Sequence, residues 1–161
     1  MPAQFLLNIM IAFLWTLLMD EDAFYLSTFI AGYIVGIAIL FLMHRFFGKK
    51  FYMIRVFSTI KLLWIFIREL TQSSWLIMKQ ILSPKLNIQP GIFTYEHNMN
   101  GDYELTTLAL LLTLTPGSVV MEVSPDGKIF YIHAMDIETS RGEVLRSIKA
   151  FEKAIMEVTR N

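Results

Sequence analysis

The chain has 161 residues, 14 Lys and Arg against 14 Asp and Glu, no cysteine, 55% hydrophobic residues and only 17% charged ones. Soluble domains run at about 45 to 50% apolar and about 25% charged, so a good part of this chain must lie in lipid or against a partner. Disorder, collagen and disulfide scaffolds are excluded, and without cysteine so are thiolate catalysis, cysteine-ligated zinc and iron–sulfur clusters.

Charge is zoned along the chain. Residues 1–43 hold three acids (Asp20, Glu21, Asp22) and no Lys or Arg. Residues 44–85 hold eight bases and one acid, Glu69, whereas residues 86–161 hold six bases and ten acids. Three blocks of different chemistry imply three structural zones.

The first element is the run FLLNIMIAFLWTLLM, Phe5 to Met19, 15 residues long. Its length alone fits a signal-peptide core or a buried helix. No basic stretch precedes it and no small-x-small cleavage site follows it, while Asp20-Glu21-Asp22 turns the chain directly into a second run, so it is expected to cross the membrane. That second run, Phe24 to Met43, has 20 residues without a charge. A helix of that length covers about 30 Å, the thickness of a bilayer core. Residues 4–43 therefore read as a transmembrane hairpin, the first zone being 1–43. Bases near span ends stay on the cytoplasmic side. Arg45, Lys49, Lys50 and Arg55 follow the second span, so both ends of the hairpin and everything after it are expected in the cytoplasm.

The second zone, 44–83, contains an apolar helix from 56 to 82 that also carries Lys61, Arg68, Glu69 and Lys79. On a helical wheel Lys61, Arg68, Gln72 and Lys79 fall within about 40° of one another. A narrow basic stripe on a Trp-bearing apolar helix suits one lying in the membrane interface or docked on a partner. Spanning would place Arg68 and Glu69 near the bilayer centre, at roughly 2.5 to 3.5 kcal/mol for the arginine alone.

The third zone, 84–161, has the pattern of a small globular domain. IFTYE within Ile88–Glu96 reads as a strand. Asp102 is expected to cap a helix over Tyr103–Leu114, which Thr115-Pro116-Gly117 ends. Ser118–Val123 and Lys128–Met135 are alternating strands joined by the turn Ser124-Pro125-Asp126-Gly127. Ser140 with Glu143 forms a capping box opening a helix to about Thr159, with Val144, Leu145, Ile148, Phe151, Ile155 and Val158 on one face. The fold class is an α+β membrane protein: a two-helix transmembrane hairpin, an amphipathic interfacial helix and a cytoplasmic βαββα domain with its helices on one face of the sheet. The helix YELTTLALLLTL is apolar nearly all round and is expected to be buried on every side. A two-layer domain covers only one face, so the other face should meet membrane or another protein of an assembly.

The residues assemble no catalytic, cofactor-binding or metal site. His44, His97 and His133 lie far apart and fit no metal-ligand spacing. Gly32 and Gly36 fall within the apolar span rather than in a phosphate loop, and no G-x-S-x-G elbow is present. His133 and Asp136 at a strand end have no nucleophile on the same element, so they read as a surface histidine beside a loop acid. Gly32-x-x-x-Gly36 permits close approach of another helix backbone. Neither span carries an ionisable group for an ion path, and Asn8, Thr16, Ser27 and Thr28 are read as bonding to backbone or adjacent helices. The neighbours of the basic zone are read as lipid-facing, so anionic headgroups rather than nucleic acid are its expected counter-charge.

An N-terminal hairpin, a basic apolar helix and then LLLTLTPGSVVMEV (Leu110–Val123) and IFYIHAMDI (Ile129–Ile137) resemble the E subunits of the bacterial multiple-resistance-and-pH (Mrp) cation/proton antiporters. The resemblance covers essentially the whole chain and is most specific in TPGSVVMEVSPDGKIFYIHAMD. It implies a place in a multisubunit complex of the plasma membrane that exchanges cytoplasmic sodium for external protons, with the ion paths in large antiporter-like subunits and this chain as a small accessory one. It brings no catalytic residue and no cofactor. The competing readings are a free-standing membrane-anchored cytoplasmic binding module and, more weakly supported, a small membrane enzyme.

Overall fold

The computed structural model describes residues 2–19, 24–43, 51–85 and 88–160. In chain order its elements are α1 (Pro2–Leu18), α2 (Leu26–Met43), α3 (Tyr52–Ile81), β1 (Gly91–Glu96), α4 (Asp102–Leu114), β2 (Ser118–Val123), β3 (Ile129–Ala134) and α5 (Ile137–Thr159). They form two compact units, Met1–Val56 and Phe57–Asn161. The Asp20-Glu21-Asp22 turn and the bases Arg45, Lys49 and Lys50 that set the expected topology lie outside the described residues.

In the first unit α1 and α2 pack side by side in opposite directions. Gly32 meets Ala12 and Trp15, whereas Gly36 meets Asn8 and Ile11. A Cβ on Gly36 would stand 2.0 Å from Asn8 Oδ1, and one on Gly32 would stand 2.6 Å from Trp15 Cβ. The glycine pair therefore serves a helix of its own chain. Leu40 packs with Phe51 and Tyr52 where α3 begins. Of the described helices, α2 is long and apolar enough to cross a membrane, and α1 is a shorter apolar helix.

In the second unit the sheet has the order β1-β3-β2, antiparallel throughout. Strand alternation sends Phe93 of β1 and Phe130, Ile132 and Ala134 of β3 to one face. A bulge between Val120 and Glu122 lets Val120 and Val123 both turn to that side. There they meet Leu108 and Leu112 of α4, Ile148, Phe151 and Ile155 of α5, and Leu62, Ile65 and Phe66 of α3. The opposite face, with Ile92, Tyr131 and Met121, is left exposed within the chain.

The turn after β2 forms as its sequence dictates. Gly127 takes φ 67°, which only glycine adopts freely, and donates to Ser124 O at 2.8 Å. Ser124 Oγ accepts from Ile129 N–H at 2.9 Å.

Both expected helix starts are corrected. The N-cap of α4 is Gly101 at φ 84°, and Asp102 is already helical. No side chain caps the start, and Glu104 instead reaches back to the residue before the cap, its carboxylate accepting from Asn100 N–H at 2.9 Å. Helix α5 begins at Ile137, and its cap is Asp136, which accepts from Glu138 N–H at 3.2 Å. Ser140 lies inside the helix, its amide already bonded to Asp136 O at 3.0 Å, so the Ser140–Glu143 pair is no capping box. As expected of a two-layer domain, this chain covers only one face of α4: Glu104, Leu108 and Leu112 are buried, whereas Tyr103, Leu110 and Leu114 are exposed within the chain.

Candidate functional site

Helix α3 carries the surface chemistry of the second unit. At 100° per residue its sequence divides into three sectors. Leu62, Ile65, Phe66 and Glu69 turn to the core of the unit, where Glu69 is 6% exposed. Ser147 Oγ of α5 donates to Glu69 Oε2, and Arg68 holds the other carboxylate oxygen at 2.5 Å. Two turns earlier Lys61 Nζ pairs with Glu157 at 2.7 Å. These contacts fix α3 antiparallel to α5. The second sector, Phe57, Ile60, Trp64, Ile67, Trp75 and Met78, is apolar and exposed. The third is the basic stripe of Lys61, Arg68 and Lys79, with the ammonium of Lys79 5.7 Å from the Trp75 ring centroid. The stripe expected from the sequence is present, and it borders the exposed apolar sector.

Two further buried glutamates tie the second unit together. Glu104 accepts from Arg160 at 2.7 Å, from Asn100 N–H at 2.9 Å and from Thr159 Oγ1. The Arg160 hydrogen bond leads in lowering its pKa from 4.5 to about 2, against the opposing effect of burial. Glu152 accepts from Tyr95 Oη at 2.8 Å and from Asn98 N–H at 2.5 Å. Burial, then the Glu152 hydrogen bond, pushes the Tyr95 phenol well up. Burial also lowers the His97 pKa, outweighing the pull of Glu152. His97 Nδ1 accepts from Met99 N–H at 3.2 Å, so the neutral ring carries its proton on Nε2, which is buried without a partner among the described residues. Each carboxylate is engaged by fixed donors from other elements, which braces the unit.

Of the residues weighed from the sequence, His133 lies on the sheet face away from the helices, and Asp136 caps α5. His44 lies outside the described residues. Among the described residues no group of three His, Asp or Glu could hold a metal. Asn8 bonds within the first unit: its Nδ2 donates to Tyr52 Oη at 2.8 Å, and Tyr52 N–H donates to Gln4 Oε1 at 3.0 Å. Sequence reasoning missed Tyr52, Glu69 and Glu104 as tethers. A lone acid on an apolar helix was the available sign for Glu69, since a buried carboxylate demands donors.

The family model MNHE, described as Na+/H+ ion antiporter subunit, matches residues 8–158. The E subunit of the Na(+)/H(+) antiporter of Bacillus subtilis (strain 168) is 48% identical over 160 residues, covering 99% of this chain and 100% of that one. Among solved structures, a chain of the membrane-bound sulfane sulfur reductase, an archaeal respiratory membrane complex, superposes with TM-score 0.54 at 22% identity. That superposition covers 94% of this chain and 96% of the other, and shows a shared fold. A chain of the Mrp complex from Dietzia sp. DQ12-45-1b matches with TM-score 0.45 and 24% identity, over 62% of this chain and 93% of that one.

Proposed function

We propose a function on the premise that follows from these matches: the chain belongs to the Na+/H+ ion antiporter subunit family. In this reading it is the E subunit of a multisubunit cation/proton antiporter in the plasma membrane, driven by the proton gradient. It has an accessory role, supplying surface and assembly contacts rather than an ion path. The observation that carries this is the full-length identity to the Bacillus subtilis protein. Two features of the residues support it. Helices α1 and α2 contain no Asp, Glu, Lys, Arg or His, and ion transport across lipid needs ionisable groups inside a span. The outward residues of both helices are large and apolar, Leu17, Leu18 and Leu42 being at least 75% exposed within the chain.

The finer architecture follows the three charge zones. Residues 1–43 form a transmembrane hairpin, residues 44–83 a basic segment whose α3 lays its Trp-bearing sector on anionic headgroups, and residues 84–161 a cytoplasmic domain. Support comes from the exposed apolar sector of α3 with the basic stripe at its edge. Large antiporter-like subunits and other small membrane subunits are the partners, and nucleic acid is not. The family is a transporter component, and neither a cofactor nor an enzymatic step is assigned to this chain.

Purification in mild detergent tests the reading. Stoichiometric recovery with much larger polytopic chains is expected. A chain recovered alone and monodisperse would show a free-standing membrane-anchored module instead.

A further inference from the structure

A cavity of about 630 Å³ lies in the second unit between α3, α5 and the turn from α4 to β2. Its volume is that of a small-molecule site. Three bases line it, Arg68 and Lys79 from α3 and Arg146 from α5, against two acids, Glu69 and Glu143. The formal balance is one positive charge. Glu69 is buried and already satisfied by Arg68 and Ser147, so it does not compete for a guest. The hydroxyl-bearing turn Thr115–Ser118 closes one side. There Gly117, at φ 95°, leaves the wall open, since a Cβ would come within 3.2 Å of Ile77.

The rim is as informative as the lining. Trp75 borders the cavity and is also a member of the exposed apolar sector of α3, 56% exposed. A cavity of mixed polar and apolar lining with one surplus positive charge therefore opens beside an apolar strip. That combination fits a molecule with a singly charged phosphate at one end and apolar chains at the other.

We propose that this cavity binds a phosphodiester headgroup, with Arg146 and Lys79 pairing with the phosphate oxygens and Trp75 flanking the first carbons beyond it. Arginine supplies a forked pair of donors and lysine a point charge, which together suit one phosphate of charge minus one. The source is a membrane phospholipid or a soluble phosphoester. The lipid source rests on the placement of α3 at the membrane surface proposed above, whereas phosphate recognition does not.

The experiment uses the full chain in an uncharged sugar-headed detergent with Trp15→Phe and Trp64→Phe, so that Trp75 alone reports. Dihexanoylphosphatidylglycerol below its micelle concentration, glycerol 1-phosphate, inorganic phosphate and hexyl glucoside are titrated separately. A saturable shift in Trp75 emission is expected with the phospholipid and none with the glucoside. Arg146→Gln and Lys79→Gln, both at exposed positions, should each weaken binding tenfold or more with circular dichroism unchanged. Equal saturation by glycerol 1-phosphate would support phosphoester recognition and make its source soluble, whereas equal saturation by inorganic phosphate would mean an adventitious anion site only and overturn the proposal. No saturable response, or one that survives the double substitution in a folded chain, would overturn the proposal. Recovery of the chain with large antiporter subunits would be untouched by that failure, so the two readings fall separately.

Discussion

The two units bury polar groups in opposite ways. In the first, the described groups between the helices are neutral: the Asn8 amide, the Tyr52 phenol and the Gln4 amide share hydrogen bonds, and close approach depends on two glycines. In the second, three of the described glutamates are buried, and each is met by amides, hydroxyls or a guanidinium from other parts of the chain. The difference follows from the supply of donors. In the proposed membrane placement the first unit meets lipid, which offers none, so a charge there would have to be satisfied entirely by protein, and small residues and amides take that place instead. A layered domain can converge three or four donors on one carboxylate and keep it ionised.

The comparison breaks most visibly if an unmatched charge enters the layered core. Leu108 of α4 is fully buried in the hydrophobic core of the unit. Leu108→Asp should destabilise the second unit by roughly 4 kcal/mol or more. Protease protection of residues 57–160 should be lost while the helical signal of the hairpin persists. A second unit that stays protected would mean that its core tolerates charge and that the contrast between the units fails.

The next effect belongs to the hairpin. Gly36→Leu pushes a side chain into Asn8 and Ile11, and the backbone of α1 must move away from α2. The cost is expected at about 3 kcal/mol, at the upper end of overpacking, because the nearest atom would be only 2.0 Å from the new Cβ. Assembled complex should fall several-fold, measured by recovery in mild detergent, with the second unit still protease-resistant. Retained assembly would remove the glycine pair from the account of how the hairpin holds together.

These two sites show what the sequence disclosed and what it did not. The glycine spacing and the core face of α5, with Ile148, Phe151 and Ile155, were legible because period and residue size carry that information directly. The sheet followed from alternation and from the Ser124–Gly127 turn. The identity of the helix that meets Gly32 and Gly36 was not legible, since the motif says only that some backbone comes close. Helix starts were misplaced for a related reason. Asp102 and Ser140 are good caps locally, but α4 starts at Gly101 with Glu104 bonded to Arg160 and to the amide before the cap, and Asp136 at the β3 end caps α5. Likewise nothing local showed how Glu69 is satisfied, since Ser147 comes from α5, 78 residues away.

A smaller effect, with a pH signature, tests whether the buried carboxylates stabilise the unit as ions. Glu104 has its pKa lowered from 4.5 to about 2, chiefly by Arg160. A depressed folded value means that the stabilisation is complete above the unfolded pKa and is lost as pH falls through the folded one. Glu104→Gln should therefore cost about 2 kcal/mol at neutral pH, and the gap from the parent chain should be constant above pH 4.5 and shrink toward pH 2. A gap independent of pH would show that Glu104 acts by shape and not by charge.

The smallest effect on stability is expected on the far side of α4. Leu110 and Leu114 are 57% and 58% exposed and lie away from the buried stripe of Leu108 and Leu112. Polar replacement at exposed positions changes stability by no more than about 0.5 kcal/mol, so Leu110→Ser with Leu114→Ser should leave the folded unit as it was. An apolar face exposed in the free chain has a different meaning in an assembly, where burying it against a partner is favourable at about 25 cal/mol per Å². The double variant should then fold normally and yet be recovered with less of the larger subunits. Stability and assembly would thereby separate on one helix, α4 holding the unit together through Leu108 and holding the complex together through Leu110 and Leu114. Unchanged recovery would assign the assembly contacts to the hairpin alone and leave this face without a partner.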